Sequence, residues 1–79
     1  MGQPDDQNKG PQGPLSLSDR ERECMVLAAQ GKSDREIGEK LGLSEKTVDE
    51  YIQRVKHKFE VSSRVEAIVW ALKLGLIEV

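Results

Sequence analysis

Apolar side chains recur at helical spacing through most of this chain. Val48, Ile52, Val55 and Phe59 fall at i, i+4, i+7 and i+11, which gathers them on a narrow arc of a 3.6-residue helix. Lys46, Asp49, Glu50, Gln53, Lys56 and His57 occupy the other side. The pattern predicts a helix over about 45–59, with one core face and one face for solvent or a ligand. Upstream, Ile37 and Leu41 are four apart and share a face, predicting a short helix over 34–41. Cys24, Met25, Leu27 and Ala28, with Leu17 ahead of them, mark a first helix running to about Gln30.

Punctuation supports these elements. S-x-x-E pairs stand at Ser18/Glu21, Ser33/Glu36 and Ser63/Glu66, each placing an acceptor where the first turn has unpaired N–H groups. Ser44 offers the same oxygen to the start of the third helix. Gly31, Gly42 and Gly75 follow the ends of apolar runs, where a chain leaving a helix needs left-handed backbone.

The fourth helix, from Ser63 to about Leu74, has a different pattern. Val65, Val69, Leu72 and Leu76 cluster on one side at 100° per residue; Ala67, Ala71, Leu74 and Trp70 cluster on another. A helix apolar on two sides needs two surfaces to pack against. One is its own domain. The other is a partner, or a four-helix domain compact enough to cover both sides.

Residues 1–14 contain all three prolines, three of the seven glycines and no apolar side chain beyond Met1. That is tail or linker composition, with nothing to bury. The expected organisation is therefore a flexible tail over 1–14 and one all-α domain over 15–79, a compact tetrahelical unit. No apolar run approaches the ~20 residues needed to span a bilayer, and the expected location is the cytoplasm. The single Cys precludes an internal disulfide, no Cys/His set has zinc spacing, and Cys24 reads as a small buried hydrophobe. No nucleophile–base pair, Gly-rich phosphate loop or metal set is present, so neither an enzyme nor a cofactor is expected.

Two helices joined by a short Gly-containing turn, as in SDREIGEKLGLSEKTV, form the plan of a DNA-binding helix-turn-helix. The net charge of −2 runs against the usual basic footprint of such domains. Its distribution tempers this: Glu45, Asp49 and Glu50 crowd the start of the third helix, whereas Arg54, Lys56 and Lys58 follow with no acid among them. A cationic stripe of this kind can meet phosphates on an otherwise acidic domain, or simply be a solvated face.

The sequence resembles the LuxR-type helix-turn-helix family, also called GerE- or FixJ/NarL-like. The likeness runs over about residues 15–77. It rests on LSLSDRERECMVLAAQGKSDREIGEKLGLSEKTV, on Lys58-Phe59 and on VSSRVEAIVWALKLGLI. It implies a bacterial transcriptional regulator whose third helix enters the major groove of double-stranded DNA and whose fourth helix pairs two copies. It also implies contact with RNA polymerase and, for most of the family, an N-terminal sensor domain, of quorum-sensing type or alternatively a receiver, a few members being stand-alone domains.

By matching positions, Asp49, Glu50 and Gln53 would meet base edges. Ser33, Ser44, Lys46, Thr47, Tyr51, Arg54 and Lys58 would meet phosphates. Val65, Val69, Leu72 and Leu76 would form the homodimer interface. Tyr51 departs from the family's common His, and Asp49 and Glu50 depart from its usual basic or apolar residues. A carboxylate accepts from cytosine N4 but cannot pair with guanine O6/N7. The alternative reading is a protein-interaction module, in which the acidic Asp49/Glu50 patch and the Trp70 side meet protein and DNA affinity is weak or depends on the sensor.

Overall fold

The computed structural model describes residues 15–78; the expected tail at 1–14 lies outside them. Among the described residues the chain forms four helices and no strand: α1 Asp19–Ala29, α2 Asp34–Leu41, α3 Glu45–Phe59 and α4 Arg64–Lys73. All-α architecture and helix order agree with the apolar pattern. The first and fourth helices each stop a residue short of the pattern's limit.

The caps explain the helix starts. The Ser18 and Ser33 oxygens accept the Glu21 and Glu36 N–H groups at 3.2 and 3.1 Å. The two glutamates accept the serine N–H groups in return, at 2.9 and 2.8 Å. That returning bond holds the exposed Glu36 carboxyl below its usual range. The third box forms only in part. The Ser63 oxygen accepts from the Glu66 N–H at 3.0 Å, but the Glu66 carboxylate meets the Ser63 hydroxyl instead of its backbone.

α3 is the central strut and packs against all three other helices. Val48, Ile52, Val55 and Phe59 are buried, as their spacing predicts, and meet Cys24, Met25 and Ala28 of α1 and Ile37 of α2. α4 closes the core through the buried Ala67 and Ala71, with Ile68 and Trp70 half-buried against it. Gly75 then turns left-handed at φ 72°, the Leu76 N–H bonds back to Ala71 O at 2.9 Å, and Ile77 drops into the core.

That turn corrects two expectations for the fourth helix. Leu76 does not extend the Val65/Val69/Leu72 stripe, because the helix has already ended; it is half-buried against the chain's own core. Leu74, grouped with the core-facing alanines, is exposed at the C-cap. The compact domain does not cover both sides of α4, for Val65 is 69% and Val69 42% exposed.

Candidate nucleic-acid interface

The turn between α2 and α3 sets where the outer face of α3 stands. Gly42 adopts φ 73°, which suits a residue without a Cβ. Gly38, one turn earlier, is buried for a different reason. Its carbonyl accepts the Leu43 N–H at 2.9 Å, and a Cβ at this position would drive into the Leu43 carbonyl oxygen. The turn leading into α3 thus packs on α2 through bare backbone. Apolar spacing gave no sign of Gly38, since a helical glycine reads merely as a weak spot.

Beyond the turn, Ser44 accepts from the Thr47 N–H at 3.0 Å and donates its hydroxyl to Thr47 Oγ1 at 2.9 Å. The Thr47 hydroxyl hydrogen is left for an outside acceptor. Lys46, Asp49, Glu50 and Gln53 are exposed along the outer face of α3. The Gln53 amide donates to Asp49 Oδ1 at 3.5 Å, a long contact that biases its orientation more than it fixes it. Arg54 lies with its guanidinium carbon 5.2 Å from the centroid of the Tyr51 ring. Ser33 is exposed at the start of α2.

Lys58 has partners that the sequence did not suggest. Its ammonium donates to Glu21 Oε1 at 2.6 Å and to Ser16 O at 3.1 Å. Glu21 is a buried acid, 4% exposed. Burial pushes its carboxyl up, but the bonds from Lys58 and Ser18 outweigh this and hold it below the usual range. Capping marked Glu21 correctly but concealed this second role, because the partner lies 37 residues on. Two of the three Lys58 donors are used, so Lys58 offers a phosphate less than Arg54 does. Gln53, Arg54, His57 and Lys58 line one shallow recess with Glu21 at its side, so His57 stands beside the cationic pair.

A second ion pair also escapes a local reading. Arg64, the first residue of α4, donates to Asp34 Oδ1 at 2.6 Å and to Lys32 O at 3.1 Å. It ties the start of α4 to the start of α2. The Cys24 thiol is buried and pushed up by that burial, which suits packing and not nucleophilic attack. Among the described residues no group of three metal-ligating side chains comes together, and no helix is long and apolar enough to cross a membrane.

Comparison with known proteins places this geometry in context. Residues 15–71 match the family described as bacterial regulatory proteins, luxR family. The quorum sensing-dependent transcriptional regulator VjbR of Brucella ovis is 44% identical over 62 residues, covering 78% of this chain and 24% of that protein. The transcriptional regulatory protein LiaR of Bacillus subtilis is 42% identical over 62 residues, covering 78% of this chain and 29% of that protein. The solved structure of the transcription factor GerE superposes with a TM-score of 0.76 at 39% identity, covering 78% of this chain and 92% of that one. The chain spans between 19% and 30% of the length of the curated relatives it matches.

Proposed function

This chain belongs to the luxR family of bacterial regulatory proteins, and on that premise we propose that it binds double-stranded DNA sequence-specifically, with α3 in the major groove. The observation that carries the reading is the division of α3. One side is wholly core, and the other presents Asp49, Glu50 and Gln53 in exposed succession with Arg54 at the edge. A helix about 10–12 Å across fits the major groove. Gln53 suits adenine N6/N7, and a carboxylate suits cytosine N4. Ser33, Ser44, Lys46, Thr47, Tyr51 and Arg54 are the phosphate set, with Lys58 in a lesser part.

The exposed Val65, Val69 and Leu72 face of α4 pairs two copies, which sets two α3 helices on half-sites about one helical turn apart. In the cell the domain acts in the cytoplasm of a bacterium, attached to a sensor domain and acting on RNA polymerase. The likeness to VjbR favours a quorum-sensing regulator.

The test is duplex binding followed by fluorescence anisotropy at several salt concentrations. Arg54→Ala weakens binding to every sequence and reduces the salt slope by about 1. Gln53→Ala instead relaxes preference at one base position, by about 1–3 kcal/mol of discrimination. An Arg54→Ala chain with unchanged affinity and slope would sink the docking. A second reading is favoured by the exposed acids Asp49 and Glu50 at the start of α3: a protein-interaction module with little DNA affinity of its own. Absence of duplex binding at tens of micromolar chain in low salt would select it.

A further inference from the structure

Arg54 is held differently from every other arginine of the chain. Arg20, Arg22, Arg35 and Arg64 each place a guanidinium nitrogen against a carboxylate, on Glu23, Asp19, Glu39 and Asp34. Arg54 alone of the five rests on an aromatic face. A local acid was available, since Glu50 stands four residues before it. Glu followed by a cation at i+4 is the favourable orientation for a helix pair. Among the described residues that pair is not formed.

The difference decides which part of the guanidinium stays free. A carboxylate partner occupies the N–H edge. An aromatic partner occupies the flat face and leaves all five N–H donors for another acceptor. A phosphate needs that edge for a two-point contact. The ring is itself anchored, because Tyr51 is half-buried and packed against the core cluster. The fold therefore holds the platform, and the platform holds the long, flexible Arg54 side chain near one position before any ligand arrives. Less ordering then remains for binding to supply.

We infer that Tyr51 is a positioning residue for Arg54: its ring diverts the guanidinium from Glu50 and presents the N–H edge to a DNA phosphate. The inference rests on the DNA-binding reading of α3. It assigns the ring, and not the phenolic hydroxyl, as the part of Tyr51 that matters most.

The experiment uses the 79-residue chain and a random-sequence duplex, so that the phosphate contribution is read. Tyr51→Phe gives up only the hydroxyl's own phosphate contact, so it loses less affinity than Tyr51→Leu and keeps the salt slope of the parent, since a neutral hydroxyl displaces no counterion. Tyr51→Leu, which keeps apolar bulk against the core, loses about two- to five-fold in affinity, as expected for an exposed cation–π contact, and flattens the salt slope. Adding Glu50→Gln to Tyr51→Leu recovers part of the loss. In an Arg54→Ala background, Tyr51→Leu costs no more than Tyr51→Phe. Equal losses for the Phe and Leu variants would assign the role to the hydroxyl and overturn the inference. So would a full Tyr51→Leu loss that persists without Arg54.

A readout without DNA tests the platform by itself. The Arg54 side-chain protons should show an upfield ring-current shift in the NMR spectrum of the free chain, retained in Tyr51→Phe and lost in Tyr51→Leu. No such shift in the parent would overturn the inference even if DNA binds. Failure of the parent to bind any duplex, with the shift present, would instead remove the DNA-binding reading and the phosphate half of the inference with it.

Discussion

α3 and α4 bury opposite classes of side chain. α3 sends its largest apolar residues inward, with Val48, Val55 and Phe59 fully buried and Ile52 nearly so. α4 buries fully only two alanines, packs Ile68 and Trp70 half-buried against the core, and leaves Val65, Val69 and Leu72 exposed. Both helices carry aliphatic residues at helical spacing, yet only α3 commits its whole stripe to this chain's core. Large side chains stabilise a helix where they leave water, at roughly 1.5–3 kcal/mol each. α3 gains that inside the fold. On its Val65, Val69 and Leu72 side α4 gains little of it within the fold, which is why that side is the one proposed to pair two copies.

The contrast is sharpest at Phe59. Truncation to Ala should cost about 3–5 kcal/mol. A domain of this size is stabilised by only about 3–5 kcal/mol in total. Urea titration followed by circular dichroism should therefore find Phe59→Ala largely unfolded in buffer. A native-like Phe59→Ala chain would mean that α3 is not the strut of the core.

A smaller effect tests the polar prop that α1 lends to α3. The Glu21 carboxyl titrates below its usual range in the folded chain. Its contribution to stability is therefore complete above the ordinary carboxylate pKa near 4.3 and is lost as the pH falls through the depressed folded value. Denaturation midpoints should decline on that acid side, and Glu21→Gln should decline less over the same interval. Parallel pH profiles for the two chains would show that the Lys58 bond adds nothing.

The smallest effect on the fold is expected on the outer side of α4. Val69→Ser should change unfolding free energy by less than about 1 kcal/mol, since its side chain is already 42% exposed. Sedimentation equilibrium should nevertheless show weaker self-association. A Val69→Ser chain that unfolds easily would erase the contrast between the helices, and one that associates normally would leave the α4 face without its proposed use.

Much of this architecture was legible from local pattern. Caps and apolar spacing act within four residues, and they placed Ser18, Ser33, Ser44 and the Val48-to-Phe59 stripe correctly. The outer face of α3 was readable for the same reason, being the complement of that stripe. The sequence did not disclose contacts that join distant segments. Lys58 with Glu21, Arg64 with Asp34 and Gly38 against the Leu43 carbonyl each depend on how the helices cross. Leu76 was misplaced because angular bookkeeping continued past Gly75, the residue that the same pattern had marked as the helix stop and whose positive φ ends α4. The Tyr51–Arg54 contact is local, but several i+3 and i+4 partners competed for Arg54, and spacing alone does not choose among them.

Gly38 has a consequence for how such a domain can change. The turn that leads into α3 lies on α2 backbone against backbone, at a place that admits no side chain. Residues 49, 50 and 53 stand on a mount whose angle none of them controls. Under the proposed docking, new target preferences can be tried at those three exposed positions with the approach to the helix unaltered, whereas a side chain at Gly38 would press on the Leu43 carbonyl and shift the turn that leads into α3. Adaptability and rigidity are thus assigned to different residues, and the hinge point between them is the one with nothing to mutate but a hydrogen.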